Sequence, residues 1–147
     1  MNVAVIAPTD GDYKYYSEEL INGAKVAVDE INENGGLKGK KVKLVQIDDP
    51  CDDTLSLTTA QMIAVNRSEE DKMHLVLGPQ CINRTEKIAA VFSGAKIFQI
   101  HPTGSSRALY QTAHRGLLFH LVPWTGSTVV VEKVIAVYPV LDRKSVV

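Results

Sequence analysis

The sequence predicts a doubly wound α/β fold, in which a parallel sheet lies between two layers of helices. Short apolar runs typical of buried strands alternate along the chain with longer amphipathic stretches of helical periodicity. This alternation indicates a parallel sheet with helices on both faces, a three-layer α/β/α arrangement. The chain has 147 residues, of which 45% are hydrophobic and 22% charged, and this composition is ordinary for one folded domain.

The first half of the chain contains two strands and two helices. Residues 3–7 are apolar and predict a buried strand, and residues 42–47 predict the second strand. Ser17, which precedes two glutamates, is expected to cap the first helix, and Gly35-Gly36 is expected to end it. Asp53 is expected to cap the second helix. The inner face of that helix is expected to carry four apolar side chains, Leu57, Ala60, Ala64 and Val65.

The second half continues the alternation. Strands are predicted at residues 74–77, 96–100 and 117–122, and a helix is predicted at residues 83–91. A further helix is expected at residues 128–138, followed by the beginning of a strand at residues 144–147. Ligands of doubly wound sheets bind outside the carboxyl ends of the strands. The loops to examine are therefore those that follow the first four strands, at residues 8–16, 48–53, 78–83 and 101–106.

Several function classes are excluded by what the sequence lacks. With 16 basic and 17 acidic residues the net charge is −1, so there is no basic excess to neutralise the phosphates of a nucleic acid. No apolar run reaches the length of about 18 residues that a membrane span needs. The loop after the first strand lacks the Gly-x-Gly-x-x-Gly pattern, and neither a phosphate-loop lysine motif nor a Gly-x-Ser-x-Gly nucleophile motif occurs. No nucleotide or other cofactor is expected.

Metal binding is disfavoured by the spacing of the possible ligands. Four acids follow the second strand, namely Asp48, Asp49, Asp52 and Asp53. They lack the fixed order of oxygen ligands in a calcium loop, so helix capping and loop solvation are their expected roles. The histidines are not spaced as metal ligands either, and a structural role is expected for them.

The two cysteines, Cys51 and Cys81, each follow the end of a predicted strand. Two thiols are too few for a zinc site, which usually has four ligands. Neighbouring parallel strands lie about 4.8 Å apart, so loops that leave adjacent strands at one edge can bring two sulfurs within bonding distance. From the residues alone, a disulfide and a pair of buried thiols remain open alternatives.

Three stretches of the chain carry a family resemblance. The first runs from Asn22-Gly23-Ala24 to Gly35-Gly36-Leu37-Lys38-Gly39-Lys40, the second covers residues 45–52, and the third is Gly78-Pro79-Gln80-Cys81. They resemble, in turn, the opening helix and turn, the second strand with its cysteine loop, and the third strand end of type 1 periplasmic solute-binding proteins. The resemblance is to their branched-chain amino-acid binding group, and it extends from residue 2 to about residue 122.

This resemblance implies that residues 1–122 form the first lobe of a two-lobed protein, and that residues 123–147 form the crossover and the first strand of the second lobe. Family members hold a solute in the cleft between the lobes and deliver it to the membrane permease of an ABC transporter. The implied function is binding of an amino acid or a similar small polar solute, not catalysis. A ligand-sensing domain of a regulator or receptor is the alternative within this fold. A doubly wound enzyme is the competing class, but it would need a positioned nucleophile and base.

The resemblance also implies a set of ligand-contacting residues. Thr103 and Ser105 lie in the segment that holds the carboxylate and ammonium groups of the amino acid in the family, and Tyr16 matches a pocket tyrosine. Close relatives carry a serine that binds the carboxylate where this chain has Ile82. The polar Asn83 beside it is therefore added to the candidates.

A disulfide and a compartment follow from the same resemblance. In close relatives the two cysteines at these places are bonded, which implies a Cys51–Cys81 disulfide in an oxidising compartment. Met1 leads directly into a strand-like run, without the basic segment and cleavage site of a signal peptide. We therefore expect either a cytoplasmic protein or a sequence that starts at the mature end, and the resemblance favours a periplasmic or extracellular location.

The length of the chain leads to an expectation about its assembly. A full family member is more than twice as long as this chain, so we expect apolar sheet and helix surface to remain uncovered. Such patches favour association. The expected assembly is a homo-oligomer, with exchange of residues 123–147 between chains as one route.

Overall fold

The computed structural model describes residues 1–66, 68–81, 85–103 and 117–122. Strands and helices alternate along these residues, as predicted. The elements are β1 (Asn2–Ala7), α1 (Lys14–Glu33), β2 (Lys43–Asp48), α2 (Asp53–Val65), β3 (Met73–Leu77), α3 (Thr85–Gly94), β4 (Phe98–His101) and β5 (Leu118–His120). The helix and strand expected after residue 122 lie outside the described residues. No helix in the described part of the chain is both long and apolar enough to cross a membrane.

All described strands are parallel and form one sheet in the order β2-β1-β3-β4-β5. The predicted doubly wound sheet is therefore confirmed. β1 lies between β2 and β3, where Val5 pairs with Gln46 on one side and with Leu77 on the other. Every residue of β1 is buried, which explains why residues 3–7 of the strand are all apolar. The carboxyl ends of the five strands lie together, and we call this side of the sheet the carboxyl edge.

The main core lies between one face of the sheet and helices α2 and α3. Ala4 and Ile6 point from β1 into this layer, and Phe92 of α3 is completely buried there. The buried cluster consists of Ala4, Ile6, Ala60, Ile63, Val76, Ile88, Phe92, Ala95 and Ile97. Its members come from segments far apart in sequence, so this cluster fixes the arrangement of the layers.

Within the described residues, the opposite face of the sheet is covered only in part. Helix α1 packs on β1 and β2 and buries Ile21. Towards β5 this face is exposed at Phe98, Phe119 and Leu121, and the rings of Phe98 and Phe119 stack with their centroids 6.3 Å apart. Uncovered apolar sheet surface was expected from the length of the chain. The homo-oligomer inferred from it stays a prediction.

Both helix caps differ from the predicted ones. The N-cap of α1 is Tyr13, whereas Ser17 lies one turn inside the helix and is buried. The N-cap of α2 is Asp52 and not Asp53, because the extended backbone of Asp52 (φ −97°, ψ 132°) lets its carboxylate accept from Thr54 N at 2.9 Å and from Leu55 N at 3.0 Å.

The inner face of α2 also differs at one position. Ala60 and Ile63 are buried, and Leu57 and Ala64 are half-buried. Val65, the last residue of the helix, is 73% exposed, so its predicted inward position is wrong. Ile63 takes the buried place because it lies three residues after Ala60, on the face that meets the sheet.

Candidate functional site

The loops at the carboxyl edge converge on the end of β3. Gly78 follows that strand with a positive φ of 118°, and a Cβ at this position would collide with the carbonyl oxygen of Ile6 in β1. Its N–H donates to Ile100 O at 2.9 Å, and its carbonyl accepts from Gln99 Nε2 at 2.7 Å. Gly78 therefore joins the ends of β1, β3 and β4, and the absence of a side chain permits this approach.

Gln80 lies two residues further along and connects three elements. Its N–H donates to Ile6 O at 3.3 Å, and its side-chain Oε1 accepts from Ser17 Oγ of α1 at 2.7 Å. Its carbonyl oxygen accepts from Thr103 Oγ1, after β4, at 2.7 Å. Gln80 is only 8% exposed, and Ser17 is buried. Neither residue was predicted as a site residue, since neither belongs to a motif with a chemical signature.

The Cys51–Cys81 disulfide is present, with the two Cα atoms 5.7 Å apart. The expectation that the two cysteine loops leave adjacent strands is wrong. β2 and β3 lie on either side of β1. The bond instead joins the two loops across the end of β1. Both loops reach this strand, because Asp49 N donates to Ala7 O and Gln80 N donates to Ile6 O.

The acids at and after the end of β2 fix the loops at the carboxyl edge by hydrogen bonds. Asp48 Oδ1 accepts from both the N–H and the hydroxyl of Thr9, each at 2.8 Å. Asp49 is completely buried, and its Oδ1 accepts from Cys51 N at 3.2 Å and from the hydroxyl of Ser56. With Asp52 as the cap of α2, three of the four acids have a structural role at the carboxyl edge.

Of the predicted ligand residues, two are described. Tyr16 lies in the first turns of α1 and is 62% exposed, with its ring edge-on to Tyr15 at a centroid distance of 5.7 Å. Thr103 lies beyond the end of β4 and is half-buried. Both belong to the carboxyl edge. Asn83 and Ser105 lie outside the described residues, as does Ile82.

The start of α1 presents more exposed tyrosines than the one that was predicted as a site residue. Tyr13 and Tyr15 are exposed together with Tyr16. Exposed tyrosines combine a large apolar ring with a polar hydroxyl, a combination that suits binding surfaces. The signal that could have revealed them is the run of tyrosines in the loop that follows the first strand.

His101 ends β4 and is completely buried, with its ring 6.0 Å from that of His120 on β5. Burial disfavours the charged imidazolium, and nearby His120 opposes a second positive charge. Together they lower the pKa of His101 from 6.5 to about 4. His101 is therefore neutral in the folded protein near pH 7.

This pKa leads to a testable pH dependence. The unfolded chain takes up a proton on His101 near pH 6.5, whereas the folded protein does so only near pH 4. The free energy of unfolding is therefore expected to fall as the pH falls from about 6.5 to about 4, by no more than about 3 kcal/mol from this group. Urea unfolding at several pH values measures this effect, and H101Q should reduce the slope. An equal slope in H101Q would contradict the assignment.

Known proteins resemble the chain in sequence. The Leu/Ile/Val-binding protein of Escherichia coli is 28% identical over 118 residues, which cover 80% of this chain and 31% of that protein. An amino acid binding protein of Pseudomonas aeruginosa is 32% identical over 115 residues, which cover 78% of this chain and 29% of that protein.

Solved structures share the fold. The substrate-binding protein of a branched-chain amino acid transporter from Streptococcus pneumoniae, in complex with isoleucine, has a TM-score of 0.71 at 23% identity and matches 84% of this chain and 34% of its own. An ABC transporter substrate-binding protein from Desulfitobacterium hafniense, in complex with Leu, has a TM-score of 0.67 at 25% identity, with the same two coverages of 84% and 34%. The chain thus spans about a third of the length of these relatives.

The periplasmic binding protein family model matches residues 1–136, and the chain belongs to that family, in its type 1 group with the branched-chain amino-acid binding proteins.

Proposed function

We propose that the chain forms the first lobe of a solute-binding protein that supplies an amino acid to the membrane permease of an ABC transporter. The observation that carries this proposal is that Ser17, the neighbour of Tyr16, and Thr103 both hydrogen-bond to Gln80 at the carboxyl edge, the side where doubly wound sheets bind ligands. The names of the relatives support the solute class, because they are Leu/Ile/Val-binding and amino acid binding proteins.

The proposed mechanism is differential affinity, without a chemical step. A solute held between this edge and a second lobe stabilises the closed arrangement of the two lobes, and the permease responds to that state. The exposed tyrosines of α1 would supply apolar contact to an aliphatic side chain. The Cys51–Cys81 disulfide supports an oxidising, extracytoplasmic location.

Calorimetric titration of the full gene product with leucine, isoleucine, valine and a panel of polar amino acids tests this function. Micromolar binding of at least one amino acid is expected. Tyr16→Ala should weaken that binding about tenfold, since an aromatic contact contributes about 1.4 kcal/mol. Val26→Ala is the matched control, because Val26 lies on α1 and is 66% exposed but is more than two turns further from the edge. The absence of binding across the whole panel would refute the proposal.

A further inference from the structure

A cavity of about 570 Å³ lies at the amino-terminal ends of β3 and β4, at the side of the sheet opposite to the carboxyl edge. Met73 and Phe98, the first residues of these strands, line it together with Ala64 in the last turn of α2. Its volume is typical of sites for small molecules. Because the length of the strands separates it from Tyr16 and Thr103, this cavity is distinct from the proposed solute site.

The wall of the cavity is mostly apolar. Ala95 and Ile97 contribute buried surface to it, and Leu75 is half-buried. Phe98 is 47% exposed, although β4 lies between β3 and β5 in the described sheet. An aliphatic chain that covers these side chains removes apolar surface from water, which favours its binding.

The charged side chains that line the cavity are basic. They are Lys72 and Lys96, and no acidic residue is among the described residues of the wall. Lys72 Nζ is paired with Glu69 Oε1 at 2.5 Å. Lys96 is exposed and makes no ion pair within the described part of the chain. Its ammonium group is therefore available to an anionic group at the cavity.

The backbone of Lys96 has a conformation that favours glycine, with a φ of 60°. Lys96 lies where the chain reverses after α3, since its N–H donates to Ser93 O at 3.2 Å and Ile97 N donates to Phe92 O at 2.9 Å. Glycine fits this position better than lysine, so the chain reversal does not explain the lysine. Strained backbone of this kind clusters at functional positions.

We infer that this cavity binds an aliphatic carboxylate, with the alkyl chain on the apolar wall and the carboxylate on the ammonium group of Lys96. The wall explains an alkyl chain, and the basic side chains explain a preference for an anion over a cation. Neither the wall nor Lys96 belongs to the proposed solute site, so this second site is independent of the proposed function.

Calorimetric titration of the full gene product compares three probes with the same alkyl chain, namely octanoate, 1-octanol and octylamine. Octanoate is expected to bind about fivefold more tightly than 1-octanol, and octylamine is expected to bind most weakly. Saturation with leucine should leave the octanoate affinity unchanged. The inference is overturned if octanoate does not bind, if octylamine binds as tightly, or if leucine displaces octanoate.

Variants of Lys96 test the contact with the carboxylate. K96Q should weaken octanoate about fivefold and leave the affinity for 1-octanol within about twofold. K87Q is the matched control, because Lys87 is an exposed lysine of α3 that does not line the cavity. K96G should bind octanoate as weakly as K96Q and be at least as stable in urea, since glycine relieves the positive φ. An unchanged octanoate affinity in K96Q, or an equal loss in K87Q, overturns the inference.

A variant of the wall tests the position of the alkyl chain. Ala64→Leu adds apolar volume inside the cavity and should weaken octanoate and 1-octanol alike, by about fivefold or more. Circular dichroism and urea unfolding show whether the variant keeps its fold. If folded Ala64→Leu binds both probes as the wild type does, the alkyl chain lies elsewhere and the inference is overturned.

Discussion

Gly78→Ala is expected to lower the free energy of unfolding by about 3–5 kcal/mol. A Cβ at this position would collide with the backbone carbonyl of Ile6, which cannot move without displacing β1, an interior strand of the sheet. The φ of 118° adds backbone strain for any residue with a side chain. Urea unfolding monitored by circular dichroism measures the change. Because Gln80 follows two residues later, solute affinity should fall as well.

Gly23→Ala is the matched control for this substitution. Gly23 lies inside α1, and a Cβ there meets no atom within 4 Å. Alanine is the better helix former, so this variant should gain about 0.5–1 kcal/mol. The two glycine variants are thus expected to change stability in opposite directions. Equal stability of Gly78→Ala and the wild type would show that the close approach to Ile6 is absent.

Loss of the Cys51–Cys81 disulfide is expected to cost about 3–4 kcal/mol, by the loop-entropy relation. The bond joins residues 30 positions apart and so restricts a long segment of the unfolded chain. The C51S/C81S double variant should therefore unfold at a clearly lower urea concentration than the wild type.

The reduced wild-type protein provides the control for this variant. Addition of a reductant should lower its urea midpoint to that of C51S/C81S, and should leave the double variant unchanged. If the reductant lowers both midpoints equally, its effect does not come from this disulfide. A double variant as stable as the oxidised wild type would contradict the expected contribution.

Most of the fold could be predicted because it depends on local patterns. β1 is apolar at every central position and is buried at every one. Helix α1 ends close to Gly35 and Gly36, where glycine accepts the positive φ of a chain reversal. These features depend on a few neighbouring residues, so the sequence displays them directly.

The candidate site was less predictable because its contacts are long-range. Ser17 looked like a helix cap, but its hydroxyl meets Gln80, which is 63 positions away in the chain. Asp53 was predicted to cap α2, but the cap is its neighbour Asp52, because only the backbone conformation determines which of two adjacent acids reaches the free N–H groups. Tyr16 and Thr103 were identified by the family resemblance, which indicates the positions of site residues but not the hydrogen bonds that they make.

The strand order β2-β1-β3-β4-β5 has a consequence for synthesis on the ribosome. Every described strand after β1 pairs with a strand that precedes it in the chain: β2 and β3 with β1, β4 with β3, and β5 with β4. No described strand has to wait for a later one before its partner exists. The sheet can therefore grow outward from β1 in the order of translation, and each newly made strand finds a hydrogen-bonding partner already in place.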